Sequence, residues 1–126
     1  MESLVFLDFD GVICDSALEC LVSSWVAYHQ YFLHQVPPSI PLVLKEKFLS
    51  LRPYVRSGED FVLIQEMIAD GLAVTSQGDF DCLAQQRGQQ RLETYRQHFY
   101  RARSTLLRDQ REYWIRLNTL YRHMQE

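Results

Sequence analysis

Hydrophobic and polar positions divide this chain into one short β-type segment followed by helical ones. Leu4-Val5-Phe6-Leu7 is an apolar run without polar alternation, the pattern of a strand buried on both faces, as in a parallel sheet. It stops at Asp8-Phe9-Asp10-Gly11. Asp15 and Ser16 are good N-caps for a helix running from Ala17 to about Leu33. The stretch from His34 to Pro41 holds three of the four prolines and is read as a loop. A second helix is predicted from Leu42 to about Leu51, ending before Pro53. Ser57-Gly58-Glu59-Asp60 resembles a capping box with aspartate in the closing position, and Phe61, Ile64, Met67, Ile68 and Leu72 then recur at helical spacing up to a stop at Gly71. A further helix opens at or near Asp79. Beyond it, Leu92, Tyr95, Phe99, Ala102 and Leu106 form an apolar stripe at three- and four-residue spacing, and Tyr113, Trp114, Leu117 and Leu120 carry the pattern on after a break near Asp109.

The expected fold is therefore mostly α: one N-terminal strand and a helical bundle, without internal repeats or a low-complexity linker. Residues 1–16 read as a strand and an acidic loop, and residues 17–126 as a helical domain. A strand buried on both faces needs neighbours for its amides and carbonyls, and no later segment offers a good partner. Pairing with a second copy through Val5, Phe6 and Leu7 answers that need, so a homo-oligomer is expected.

Composition narrows the functional classes. With 126 residues, 47% hydrophobic and 23% charged, the chain is long enough for one globular domain. A net charge of −3 gives no electrostatic case for nucleic acid or an anionic membrane, and no stretch is apolar for long enough to span a bilayer. The basic residues that gather late, Arg87, Arg91, Arg96, Arg101, Arg103, Arg108, Arg111, Arg116 and Arg122, are interleaved with acids and glutamines and read as a solvated helix face. Three cysteines, Cys14, Cys20 and Cys82, form neither a disulfide framework nor a zinc pattern and fit a reducing cytoplasm. His29 and His34 have no metal partner at ligand spacing, and Trp25 and Trp114 read as core anchors.

Candidate chemistry concentrates at the end of the first strand. Asp8 and Asp10 are two acids one residue apart, where open α/β sheets place their ligands. In an extended segment both carboxylates face the same side, Gly11 lets the backbone approach a bound group, and carboxylates with a backbone oxygen form a hard-oxygen site suited to magnesium. The whole string from Leu4 to Ser16 closely resembles the first motif of the haloacid-dehalogenase superfamily: apolar residues, Asp-x-Asp-Gly, two variable residues, then Asp-Ser. That resemblance implies an α/β Rossmann-like core in the parent protein, with Asp8 as nucleophile and Asp10 as general acid and base. It also implies Mg2+ held by Asp8 and Asp10, a small phosphorylated metabolite as substrate, and a helical cap inserted after the motif. The acid at Asp10 favours phosphoryl transfer over dehalogenation.

The segment Arg52-Pro53-Tyr54-Val55-Arg56-Ser57-Gly58-Glu59-Asp60 resembles part of such caps, in which Arg52 or Arg56 could bind a substrate anion; a helix-connecting loop with solvated arginines is the alternative. Three pieces that the family uses are not evident: a Ser or Thr ending a second core strand, a charge-balancing lysine, and further acids. Leu72-Ala73-Val74-Thr75-Ser76 and Gly78-Asp79-Phe80-Asp81 mimic two of them but stand too close together, and Lys45 and Lys47 fall in the expected cap. The chain thus reads as the first strand and cap of a longer phosphatase, incompetent alone. A non-catalytic helical interaction module and a phosphomutase of the same family are the competing functions.

Overall fold

Helices in this chain form where its apolar side chains can be buried, and glycine or proline ends several of them. The structure, a computed structural model, describes residues 17–37 and 39–109. Its elements are α1 (Ala17–Phe32), α2 (Leu42–Leu51), a short 3-10 turn (Arg52–Tyr54), α3 (Gly58–Asp70), α4 (Gln77–Arg87) and α5 (Gln89–Asp109). Helix accounts for 80% of the described residues and no strand occurs among them, in agreement with the mostly-α expectation. The predicted strand Leu4–Leu7, the loop carrying Asp8, Asp10 and Gly11, the caps Asp15 and Ser16, and the pattern from Tyr113 to Leu120 lie outside the described residues.

Three helices build the core. From Ala17 to Trp25 every residue of α1 is buried, and from Val62 to Met67 every residue of α3 is buried, so both are enclosed rather than laid on a surface. Gln65 of α3 donates from Nε2 to Ser24 Oγ of α1 at 3.0 Å, and Tyr28 further along α1 lies near Asp70 at the end of α3; the two helices therefore run parallel. α5 runs against both. Its Arg103 reaches Glu19 in the first turn of α1 at 3.2 Å, and its Tyr95 meets Tyr31 and Phe32 in the last turn, with ring centroids 5.7 and 6.0 Å apart. The expected stripe on α5 faces inward: Tyr95, Phe99 and Ala102 are buried, with Leu92 and Leu106 packed against the core. α2 adds Phe48, which stacks on Phe61 at 5.8 Å, and α4 adds Phe80.

Two local features depart from the sequence reading. Ser57 caps α3 with its backbone only, making no side-chain hydrogen bond; the closing residue of the box, Asp60, accepts the N–H of Arg56 at 2.9 Å. α4 starts at Gln77, near Asp79 as expected, with Ser76 as its N-cap accepting the Asp79 N–H at 3.1 Å. α3 stops at Gly71 as expected, with Gly71 and Leu72 N–H donating to Ile68 and Met67 carbonyls. The break between α4 and α5 was not foreseen: Gly88 has φ of +87°, a conformation that L side chains rarely adopt.

The late arginines are not all a solvated face. Glu66, only 5% exposed, accepts from Tyr95 Oη at 2.7 Å, Arg87 Nε at 3.1 Å and Arg91 Nη2 at 3.3 Å. Arg91 also donates to Tyr95 Oη at 2.8 Å and lies over the Phe32 ring. Glu19, fully buried, accepts from Ser23 Oγ as well as facing Arg103. Burial, and then the Glu66 carboxylate, push the Tyr95 hydroxyl well above its ordinary value. Cys20 is buried, and His29 packs against Trp25 while its Nδ1 pairs with the Trp25 carbonyl at 2.9 Å.

Chemical unfolding followed by circular dichroism checks this arrangement. Phe99→Ala should cost about 3–5 kcal/mol through the cavity it leaves, and Tyr95→Phe about 1–2 kcal/mol through the lost hydrogen bond to Glu66. Val43→Ala, at an exposed position, should stay within about 0.5 kcal/mol. Equal losses at all three positions would contradict the packing described.

Candidate functional site

Of the residues singled out from sequence, Arg52 and Arg56 fall within the described structure, and they come together. Arg52 sits in the 3-10 turn, made by Pro53 after α2, and Arg56 in the extended link to α3. Both line a groove of about 390 Å³ that also takes in Ser57, Gly58, Phe61, Phe99 and Arg103. The groove is shaped by a close approach: a β-carbon at Gly58 would stand 2.8 Å from both Phe99 Cδ2 and Tyr100 Cε2. Glycine thus lets α5 close on the start of α3, and the Phe61–Phe99 stack at 5.4 Å lies against that junction.

The electrostatics favour an anion on one side and restrain it on the other. Three guanidinium groups and the first turn of α3, where backbone N–H groups point outward, converge on the groove. Each described pairing also has a rival. Arg56 donates from Nη1 and Nη2 to the two carboxylate oxygens of Asp81, at 2.5 and 3.0 Å, and Arg103 faces Glu19. The Arg56–Asp81 pair is exposed, with side chains 62% and 41% accessible. Such a pair contributes little to stability, and a phosphate could displace the carboxylate from the same guanidinium fork. Burial raises the Asp60 carboxyl above its ordinary value despite the Arg56 N–H that it accepts.

Arg103 was read from sequence as part of a solvated face, and its place in the groove was missed. A signal was present: Glu19 is an acid inside the apolar run of α1, and a buried acid needs a cation. The mimics of the missing family motifs have a structural use instead. Thr75 donates from N–H and Oγ1 to Asp79 Oδ2, both at 3.1 Å, which holds the Asp79 carboxyl below its ordinary value. Asp81 is spent on Arg56 and on Gln77, whose Nε2 donates to it at 3.0 Å. Among the described residues no group of three His, Cys, Asp or Glu side chains stands together as a metal site, and no helix is long and apolar enough to cross a membrane. The magnesium ligands implied by resemblance, Asp8 and Asp10, and the loop glycine Gly11 lie outside the described residues.

The ion pair makes a pH prediction. The Arg56 guanidinium, and after it the Gln77 amide, hold the Asp81 carboxyl below its ordinary value. A carboxylate lowered on folding contributes stability that is complete above its unfolded value and is lost as pH falls through the folded one. Asp81→Asn should therefore differ in stability from the parent at neutral pH and converge with it in acid. In a carboxyl NMR titration the Asp81 midpoint should rise in Arg56→Ala; an unmoved midpoint would show that the pair does not form.

Against models of known protein families, curated proteins and solved structures, the chain matches nothing.

Proposed function

We propose that this chain contributes the nucleophile loop and helical cap of a magnesium-dependent phosphate-monoester hydrolase of the haloacid-dehalogenase type. The observation that carries the reading is that the arginine groove lies at the end of the bundle where α1 begins. α1 and α3 are parallel and α5 is antiparallel to them, so the start of α1, the start of α3 and the end of α5 share one end. Residue 17, which follows the Asp-x-Asp loop in the chain, therefore lies at that end. The arginine groove is at the same end. Asp10 precedes Ala17 by seven positions, a tether of at most about 25 Å, and in this reading the Asp-x-Asp loop faces the end of the bundle that carries Arg52, Arg56 and Arg103.

In this reading Asp8 attacks phosphorus and the ester oxygen leaves with a proton from Asp10, producing an alcohol and an aspartyl-phosphate. Asp10 then takes a proton from water, whose oxygen attacks phosphorus, releasing inorganic phosphate and restoring Asp8. Magnesium, for which two carboxylates and a backbone carbonyl are a suitable donor set, would screen the charge between Asp8 and the phosphate. Arg52 or Arg56 holds an anionic group of the substrate, and the choice of substrate belongs to the cap.

The test uses a polypeptide that also carries the Ser or Thr, lysine and acids that the resemblance calls for. Asp8→Asn should reduce turnover of a generic phosphate ester below about a hundredth and abolish trapping of beryllium fluoride. Arg56→Ala should raise KM by about tenfold with kcat less affected. The 126-residue chain alone should hydrolyse negligibly, since its two lysines, Lys45 and Lys47, are both on α2 rather than in the groove. Full turnover by Asp8→Asn, or magnesium-dependent turnover by the chain alone that Asp10→Asn removes, would overturn the respective claims.

A further inference from the structure

A larger cavity, about 650 Å³, lies on a different face of α5, enclosed by α1, the loop before α2, and Lys45 of α2. Its size is in the range of small-molecule sites. Polarity is sorted by depth within it. The buried members of its lining, Leu18, Leu21, Val22, Trp25 and Ala102, are all apolar. The exposed members, Gln30, Ser39, Arg101 and Thr105, are all polar. Trp25 donates from Nε1 to the Pro37 carbonyl at 3.4 Å, which ties the loop over the apolar floor and leaves the indole no free donor to demand a polar ligand there. Charge is sorted as well: the described lining contains two cations, Lys45 and Arg101, and no carboxylate.

An apolar floor below a polar, positively charged rim fits one kind of molecule. We propose that this cavity binds an amphipathic anion, with an alkyl chain against Leu21, Val22 and Trp25 and its carboxylate or phosphate head at Lys45 and Arg101. Burial of the chain supplies affinity in proportion to the apolar area removed from water, and the rim cations select the charged head over a neutral one. The site shares no residue with the arginine groove and uses neither Asp8 nor Asp10, so it stands whether or not the phosphatase reading does.

Trp25 is a built-in reporter. The chain has two tryptophans, so the full chain carrying Trp114→Phe reports from the cavity alone. It is titrated with dodecanoate, dodecyl phosphate and dodecanol, each below its micelle or solubility limit. The expected result is a saturable change in Trp25 emission with at least one of the anions, about tenfold tighter than with dodecanol; the preferred anion identifies the head group. Arg101→Gln, at an exposed position, should erase most of that preference, and Ala102→Phe should block binding by filling the floor. Absence of any response in a protein still folded by circular dichroism overturns the proposal, as would dodecanol binding as tightly as both anions.

Discussion

Two glutamates, Glu19 and Glu66, are buried in helices that are otherwise enclosed by apolar neighbours, and both charges are met from α5. Arg103 faces the first at one end of the bundle; Arg91 and Tyr95, with Arg87 of α4, hold the second at the other end. A buried carboxylate left alone costs several kcal/mol, so α5 has one register in which both are satisfied. Its inward stripe is compatible with that register, and the aromatic contacts of Tyr95 and Phe99 follow from it. The arginines that pair internally are thus distinguished from those left in solvent by two acids on other helices.

The same register shapes the groove. With α5 held at both ends, Phe99 and Tyr100 close on Gly58, and Arg103 stands with Arg52 and Arg56 beside the first turn of α3. Proline in the 3-10 turn ends α2 and carries Arg52 there. The groove is consequently built around the junction of α3 with α5, and its weakest element is the exposed pair of Arg56 with Asp81.

Local patterns were legible in sequence wherever one residue type decided the outcome. Pro53 and Gly71 end their helices, and the spacing from Leu92 to Leu106 identifies the inward face of α5. The break at Gly88 was hidden because Gln85, Gln86, Arg87, Gln89 and Gln90 around it include no apolar residue whose phase could show a change of axis. Thr75, Ser76 and Asp79 imitate catalytic residues because helix caps and phosphate sites draw on the same oxygen-bearing side chains. Arg52 and Arg56 were singled out because their segment resembles part of a cap, and both line the groove. Arg103 was not, because its role depends on Glu19, 84 positions away in the chain and adjacent only after folding.

The central claim is that the proposed phosphate site is the arginine groove at the end of the bundle where α1 begins. Arginine Nε resonances of the full chain, followed by NMR during titration with inorganic phosphate, test it most directly. The account predicts saturable shifts at Arg52 or Arg56, with Arg87 and Arg91 unmoved because Glu66 occupies them. Shifts at Arg87 and Arg91 alone, or at no arginine, would contradict it.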